Sequence, residues 1–307
     1  MDSNGLTLTF STRMMPFWAI LRHDLRSLLG SWLVRLWLGG TVFLTFLLTA
    51  GNWAHFQTAP LIASFLFPYL VFPWFLVVMV LGVSPVSGSR AEALADGILS
   101  RPITRYEYLL ATWSARVAVV VVPYLIVMIT FIGLLSAVER PMVPEDTVTL
   151  YGVTAAVGVV GLVLVFQVSL AFLVGTLLRT PLFALVVLLV LWYPVNGMLN
   201  AFRLEEFSPI ALNQAIPTLL RQPWREVEGE SPGEASSEEM EALARQAQNF
   251  LSVLGGGQPQ RPVEAKPNFF DGKDFEDFSL TRVVLGYGIP TVLSISLAML
   301  CFCIRDL

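Results

Sequence analysis

Five stretches without a single Asp, Glu, Lys or Arg run from Leu36 to Ser89, Val117 to Val138, Thr147 to Leu178, Thr180 to Phe202 and Val283 to Ile304. Ionised side chains are how a soluble domain covers itself against water, and such a domain carries them at about 25% of its residues. Here they make up 14% of 307 residues, with 55% hydrophobic. Five such runs leave too little polar surface to wrap one soluble core, so the apolar area belongs in lipid. Strands of a membrane barrel alternate apolar and polar residues. The runs "LVLVF" and "ALVVLLVLW" are apolar on every face, which points to helices.

About 20 apolar residues cross the roughly 30 Å hydrocarbon layer as a helix. The first run is interrupted by "GNWAHFQTAP" and holds two crossings. The expected fold is therefore an all-α polytopic membrane protein with six transmembrane helices, near Trp32–Ala50, Leu61–Val83, Leu109–Leu135, Leu150–Leu178, Pro181–Ala201 and Arg282–Cys303. Basic residues of short loops stay on the cytoplasmic side. With the N-terminus inside, that side holds Arg13, Arg22, Arg26, Arg90, Arg101, Arg105, Arg179 and Arg305, against Arg140 alone in the short outer loops. Both termini are expected in the cytoplasm of a cell with the chain in its inner membrane, and the first span is expected to act as an uncleaved anchor.

The expected organisation is a cytoplasmic N-terminus with an interfacial helix over 1–31, five spans over 32–202 with a cytoplasmic loop at 84–108, an extracytoplasmic segment over 203–281, and the last span with a cytoplasmic C-terminus over 282–307. In "PFWAILRHDLRSLLGSW", Phe17, Ile20, Leu21, Leu25, Leu28, Leu29 and Trp32 form one helical stripe, with Arg22, His23 and Arg26 elsewhere. That pattern suits a helix in the membrane interface; a plain extension of the first span is the alternative. Within the 84–108 loop, Ala91 to Leu99 favour a short helix that presents Glu92 and Asp96 on one face, and Pro102 stops it. Thr104 followed by Glu107 predicts a capping box for the next helix.

The 203–280 stretch has 14 Asp or Glu against 7 Lys or Arg and faces solvent. A helix capped by Ser236 and ended by Gly255 to Gly257 is expected there, as is an interfacial helix over "SPIALNQAIPTLLRQPW" with Trp224 near the headgroups. Within the spans, Pro68, Pro73, Pro123, Pro194 and Pro290 loosen helices. Gly152, Ala156, Gly158, Gly161 and Gly175 give the fourth span a small-residue face for close packing.

Catalytic chemistry finds no foothold. The stretch "LSVLGGGQPQR", from Leu251 to Arg261, resembles the signature loop of an ATP-binding-cassette ATPase, but its glycines stop a helix, whereas that loop must begin one to aim amides at phosphate. The only Gly-Lys pair, Gly272-Lys273, lacks the glycine five residues before Gly272 and the Ser or Thr after the lysine that a phosphate loop needs. The spans hold no Asp or Glu to couple to a proton or sodium gradient; the interior polar groups, such as Gln167, Ser169, Asn196 and Asn200, do not titrate. Arg116 is the one charge well inside a span and is expected to snorkel or line a cytoplasmic entrance. His23 and His55 fall on opposite sides of the membrane, and Cys301 and Cys303 are two apart on a helix, which makes them packing or lipid-facing residues. No catalytic, cofactor or metal residues are expected in this chain, nor any nucleic acid partner.

The loop residues Ser89-Arg90-Ala91-Glu92-Ala93-Leu94-Ala95-Asp96-Gly97-Ile98-Leu99-Ser100-Arg101-Pro102-Ile103-Thr104-Arg105 resemble a run common in ABC-2-type permeases, the membrane subunits of type-2 ATP-binding-cassette exporters: E-R-E-x-G-T-L-E-x-L-L-S-x-P-I-S-R. The second half matches; Ala91 stands in place of an acidic residue and Ala93-Leu94 in place of Gly-Thr. The helix before the first span and the ending "CFCIRDL" are similar too. The resemblance implies a six-span half-transporter that pairs with a second copy or a sister permease among membrane lipids and docks a separate cytoplasmic ATPase, in which ATP and magnesium reside. It also implies that Arg90, Glu92, Asp96, Leu99, Arg101, Pro102 and Arg105 form or flank the helix coupling the ATPase to the spans. The rival expectation is a non-transporting anchor or assembly scaffold that presents 203–281 to an extracytoplasmic partner.

Overall fold

The computed structural model describes residues 10–53, 56–83, 104–138, 147–178, 180–201, 207–221 and 279–304. The expected helix from Ser236, the Leu251–Arg261 glycine loop, Trp224, His55, Arg140, Arg179 and Arg305 lie outside them. Nine helices make up the described chain: α1 Phe10–Gly30, α2 Trp32–Asn52, α3 Thr58–Leu70, α4 Trp74–Val83, α5 Arg105–Ala137, α6 Leu150–Leu177, α7 Pro181–Ala201, α8 Pro209–Arg221 and α9 Leu280–Ile304. There is no strand among the described residues.

Five helical units are long and apolar enough to cross a membrane: α2, the α3–α4 pair, α5, α6 and α9. The remaining expected span, the fifth in chain order, is α7, with the bounds read from the sequence; its apolar stretch, Pro181–Asn196, is shorter than the other five. Of the five prolines inside the spans, only Pro73 coincides with a break. It follows the end of α3 and precedes α4, after a cis Phe72–Pro73 bond. Pro68, Pro123, Pro194 and Pro290 sit inside continuous helices.

α1 is not an extension of the first span. Ser31 leaves the helical conformation, at φ -71 and ψ 141, and its hydroxyl accepts from the Val34 amide as the N-cap of α2, satisfying one of the donors a helix start leaves bare. α1 then packs along α5. Ile20 is buried and Phe17, Leu21, Leu25 and Leu28 are half-buried, while Arg22, His23 and Arg26 are exposed. Leu29 and Trp32 depart from the expected stripe and are exposed.

α6 is the centre of the molecule and touches α3, α4, α5, α7, α8 and α9. A helix apolar on all sides has no solvent face to offer and is driven to such a position. Its neighbours are keyed to it by polar atoms at fixed heights: Tyr124 on α5 donates to the Val157 carbonyl at 3.0 Å, and Trp113 Nε1 donates to Ser169 Oγ at 3.0 Å. On α9, Tyr287 packs edge-on to Phe166 with ring centroids 5.5 Å apart.

The small-residue face of α6 divides by position. A Cβ on Gly152 would lie 2.5 Å from the Leu219 carbonyl oxygen of α8, and one on Gly175 would lie 2.7 Å from that of Val83 on α4. Backbone meets backbone there, and only glycine permits it. Ala156 is buried, Gly161 makes an ordinary contact with Tyr124, and Gly158 faces open space. The close-packing expectation therefore holds at the two ends of α6 and fails at Gly158.

The amphipathic α8 turns its apolar residues onto protein. Ala211, Leu212, Ala215, Ile216, Leu219 and Leu220 are all buried, and the helix packs on α3 and α6. Its end is fixed by a Thr149 amide bond to the Leu220 carbonyl, 3.0 Å long. On α2 the inward stripe is Val34, Trp37, Thr41, Thr45 and Thr49. Each threonine hydroxyl donates to the carbonyl four residues earlier, at 2.7, 2.8 and 2.7 Å, as back-bonding Thr does in helices.

Candidate functional site

The site expected from the sequence is the 84–108 loop. Arg90, Glu92, Asp96, Leu99, Arg101 and Pro102 lie outside the described residues, whereas Arg105 and both roots of the loop are placed. On the far root, Thr104 caps α5: its hydroxyl accepts from the Glu107 amide at 3.3 Å, and its own amide donates to Glu107 Oε2 at 3.2 Å. This is the capping box read from the sequence.

Arg105 then reaches across the bundle and donates through Nη1 to the Cys303 carbonyl, 3.3 Å away in the last turn of α9. The final carbonyls of a helix have no partner within it and carry the negative end of its dipole, so a guanidinium is a natural cap. One turn further on, Leu109 is buried with Phe172 and Leu173 of α6 and Ala298 and Phe302 of α9. Tyr108 stacks on Phe302 with centroids 6.4 Å apart. Cys303 and Cys301 are half-buried and free, in keeping with a packing role.

The near root is held by a residue read differently from sequence. Arg116 neither snorkels nor lines an entrance. It is only 6% exposed, and its Nη1 donates to the Leu81 carbonyl in the last turn of α4, two residues before that helix ends. Its Nε has no hydrogen-bond partner among the described residues. Asp24, half-buried on α1, acts electrostatically on both Arg116 and Tyr108. The physical reason is local: a helix end in an apolar surrounding exposes carbonyls with no water to accept from, and Arg116 is the donor that reaches one. Val83, at the end of α4, lies against Gly175.

The loop is thus rooted in two different helix ends, and each root carries an arginine from α5 onto a helix C-terminus. The Leu81 carbonyl, the Cys303 carbonyl and Asp24 were not singled out by sequence reasoning. The one available signal was the isolation of Arg116 in an otherwise charge-free span.

Of the interior polar groups read from the sequence, Ser169 and Asn196 are paired. Ser169 accepts from Trp113 and donates to the Val165 carbonyl. Asn196 donates to the Trp192 carbonyl, and its Oδ1 accepts from Ser208. Gln167 is fully buried without a hydrogen-bond partner among the described residues, and the Asn200 side chain lies outside them. Among the described residues no group of three His, Cys, Asp or Glu is placed to hold a metal ion.

The described chain is thus a set of apolar helices around a central one, with arginine-capped helix ends at the roots of a loop. The family model described as "ABC-2 family transporter protein" matches residues 62–307, and the chain belongs to this family. It is a multi-pass membrane permease of an ABC transporter, a class whose ATPase partner is a separate component. No curated protein matches the chain.

Proposed function

We propose that the chain is one half of an exporter that pairs with a second copy or a sister permease, and that ATP bound with magnesium and hydrolysed in a cytoplasmic ATPase subunit drives it through the 84–108 loop. In this reading the chain sits in a bacterial inner membrane with the loop and both termini in the cytoplasm, and α7 completes six spans. The excess of arginine in the segments assigned to that side supports the orientation.

The observation that carries the reading is the double rooting of the loop. A load on the helix around Glu92 and Asp96 is passed at one root to the end of α4, which Arg116 ties to α5 and Val83 presses against α6. At the other root it is passed to the start of α5, which Arg105 ties to the end of α9. Four spans therefore feel one docked partner. Arg90, Leu99, Arg101 and Pro102 shape the docking helix, and its two acidic residues supply charge to a basic rim on the ATPase.

The test is a double charge reversal, Glu92→Arg with Asp96→Arg, in the full complex. Co-purification of the ATPase and ATP turnover in lipid vesicles should both fall, with the permease still folded. Wild-type capture of the ATPase together with wild-type turnover would sink the proposal.

A further inference from the structure

Away from the loop, a cavity of ≈ 260 Å³ lies between α6, α7 and α9. Phe166, Leu170 and Val174 of α6 form one wall, Leu188 and Trp192 of α7 the other, and Gly286 and Tyr287 of α9 line it beside Phe207. The lining is almost wholly apolar, and the polar groups at its Phe207 end are already committed: Tyr287 donates to the Phe207 carbonyl at 2.8 Å, and Ser208 donates to Asn196 at 3.1 Å. Leu191 and Val195 also line the cavity and are 55% and 47% exposed, so it opens onto the outer apolar surface of α7.

Water gains nothing in such a space, because it needs two to four polar partners. In a bilayer the medium at the opening is hydrocarbon, and an unfilled void forfeits the dispersion contacts of its walls. An apolar cavity of about 150 Å³ already takes up benzene, so this one has room for a longer slender guest. A helix from a second copy, about 10 Å across, is too thick to enter.

We infer that this cleft holds an acyl chain of a bilayer phospholipid, entering between Leu191 and Val195. The site is independent of the loop; only the distinction between resident lipid and cargo rests on the proposed function above.

The experiment uses the full permease–ATPase complex in vesicles containing phosphatidylglycerol with a diazirine on one acyl chain. After illumination, labelled peptides are mapped in wild type and in Val195→Trp, which blocks the opening from an exposed position. Labelling of Leu188–Leu199 and of the Gly286 region should exceed that of the lipid-facing Phe43 and Phe46 on α2 by about fivefold, since many small dispersion contacts separate a held chain from a passing one. The block should abolish that excess and leave Phe43 and Phe46 unchanged. Leu191→Trp serves the same purpose if the first variant does not fold.

Labelling of the cleft no greater than that of Phe43 and Phe46, or labelling indifferent to both blocks, would overturn the inference. So would disulfide capture between two copies at Val195→Cys with no lipid label, which would make the opening a protein interface. Excess label that persists in the absence of ATP marks a resident lipid, and label that disappears on turnover marks cargo; both keep the acyl-chain site.

Discussion

The two ends of the bundle are held together in different ways. At the loop end, α5 is tied to α4 and α9 by single bonds from long guanidinium side chains, Arg116 to Leu81 and Arg105 to Cys303. At the opposite end, α6 meets α8 backbone to backbone: Gly152 lies against the Leu219 and Leu220 carbonyls, and Thr149 bonds Leu220 through its amide. Each guanidinium link runs through four rotatable bonds, whereas two backbones in contact leave no room for a side chain between them. The α8 end is a fixed joint, and so is the Gly175–Val83 contact of α6 with α4 at the loop end; only the links of α5 to α4 and α9 run through single side chains.

The largest break in this comparison should come from Gly152→Val. The added carbons meet backbone rather than a yielding side chain, so the cost is about 3 kcal/mol, read as a fall in thermal stability and in monodisperse yield from detergent. A wild-type melting curve for this variant would remove the fixed joint.

A smaller and different effect is expected from Arg116→Met, which fills the space of the stem but leaves the Leu81 carbonyl bare, at about 1–3 kcal/mol. Its diagnostic feature is that ATP turnover by the assembled complex falls more than stability does. Arg116→Lys, a point charge without the planar fork, should recover turnover only in part. Full turnover in Arg116→Met would leave the joint structural and nothing more.

The smallest effect belongs to Gly158→Ala. Its Cβ would meet nothing within 4 Å, so stability should stay within about 0.5 kcal/mol or rise, alanine being the better helix former. A loss comparable to that of Gly152→Val would mean that glycine content, not the contact with α8, governs α6.

Much of the fold was legible because lipid imposes a simple rule: backbone groups must be paired within the segment, so a long charge-free run becomes a helix. The bounds of α6 and α7 were read to within a residue, and Thr104 with Glu107 announced the start of α5 because a capping box is local chemistry. The break at Pro73 was not separable from the unbroken Pro68, Pro123, Pro194 and Pro290, since what differs is their tertiary surroundings. α8 was ambiguous for a related reason. An amphipathic stripe shows that one face seeks apolar company, and "SPIALNQAIPTLLRQPW" reads the same whether that company is lipid or the flanks of α3 and α6.

At the candidate site, the sequence pattern named the loop and Arg105, and the lone charge at Arg116 invited attention. Their partners were invisible because both are main-chain carbonyls, of Leu81 and Cys303, which no residue type advertises.

The threonine ladder of α2 sets which polar atoms that helix turns inward. Thr41, Thr45 and Thr49 lie four residues apart on the buried stripe of that span. Each hydroxyl has already given its only proton to its own helix, and methyl groups and lone pairs are what remain to face inward. The threonines of the inward stripe therefore offer acceptor oxygens and methyl groups rather than donors.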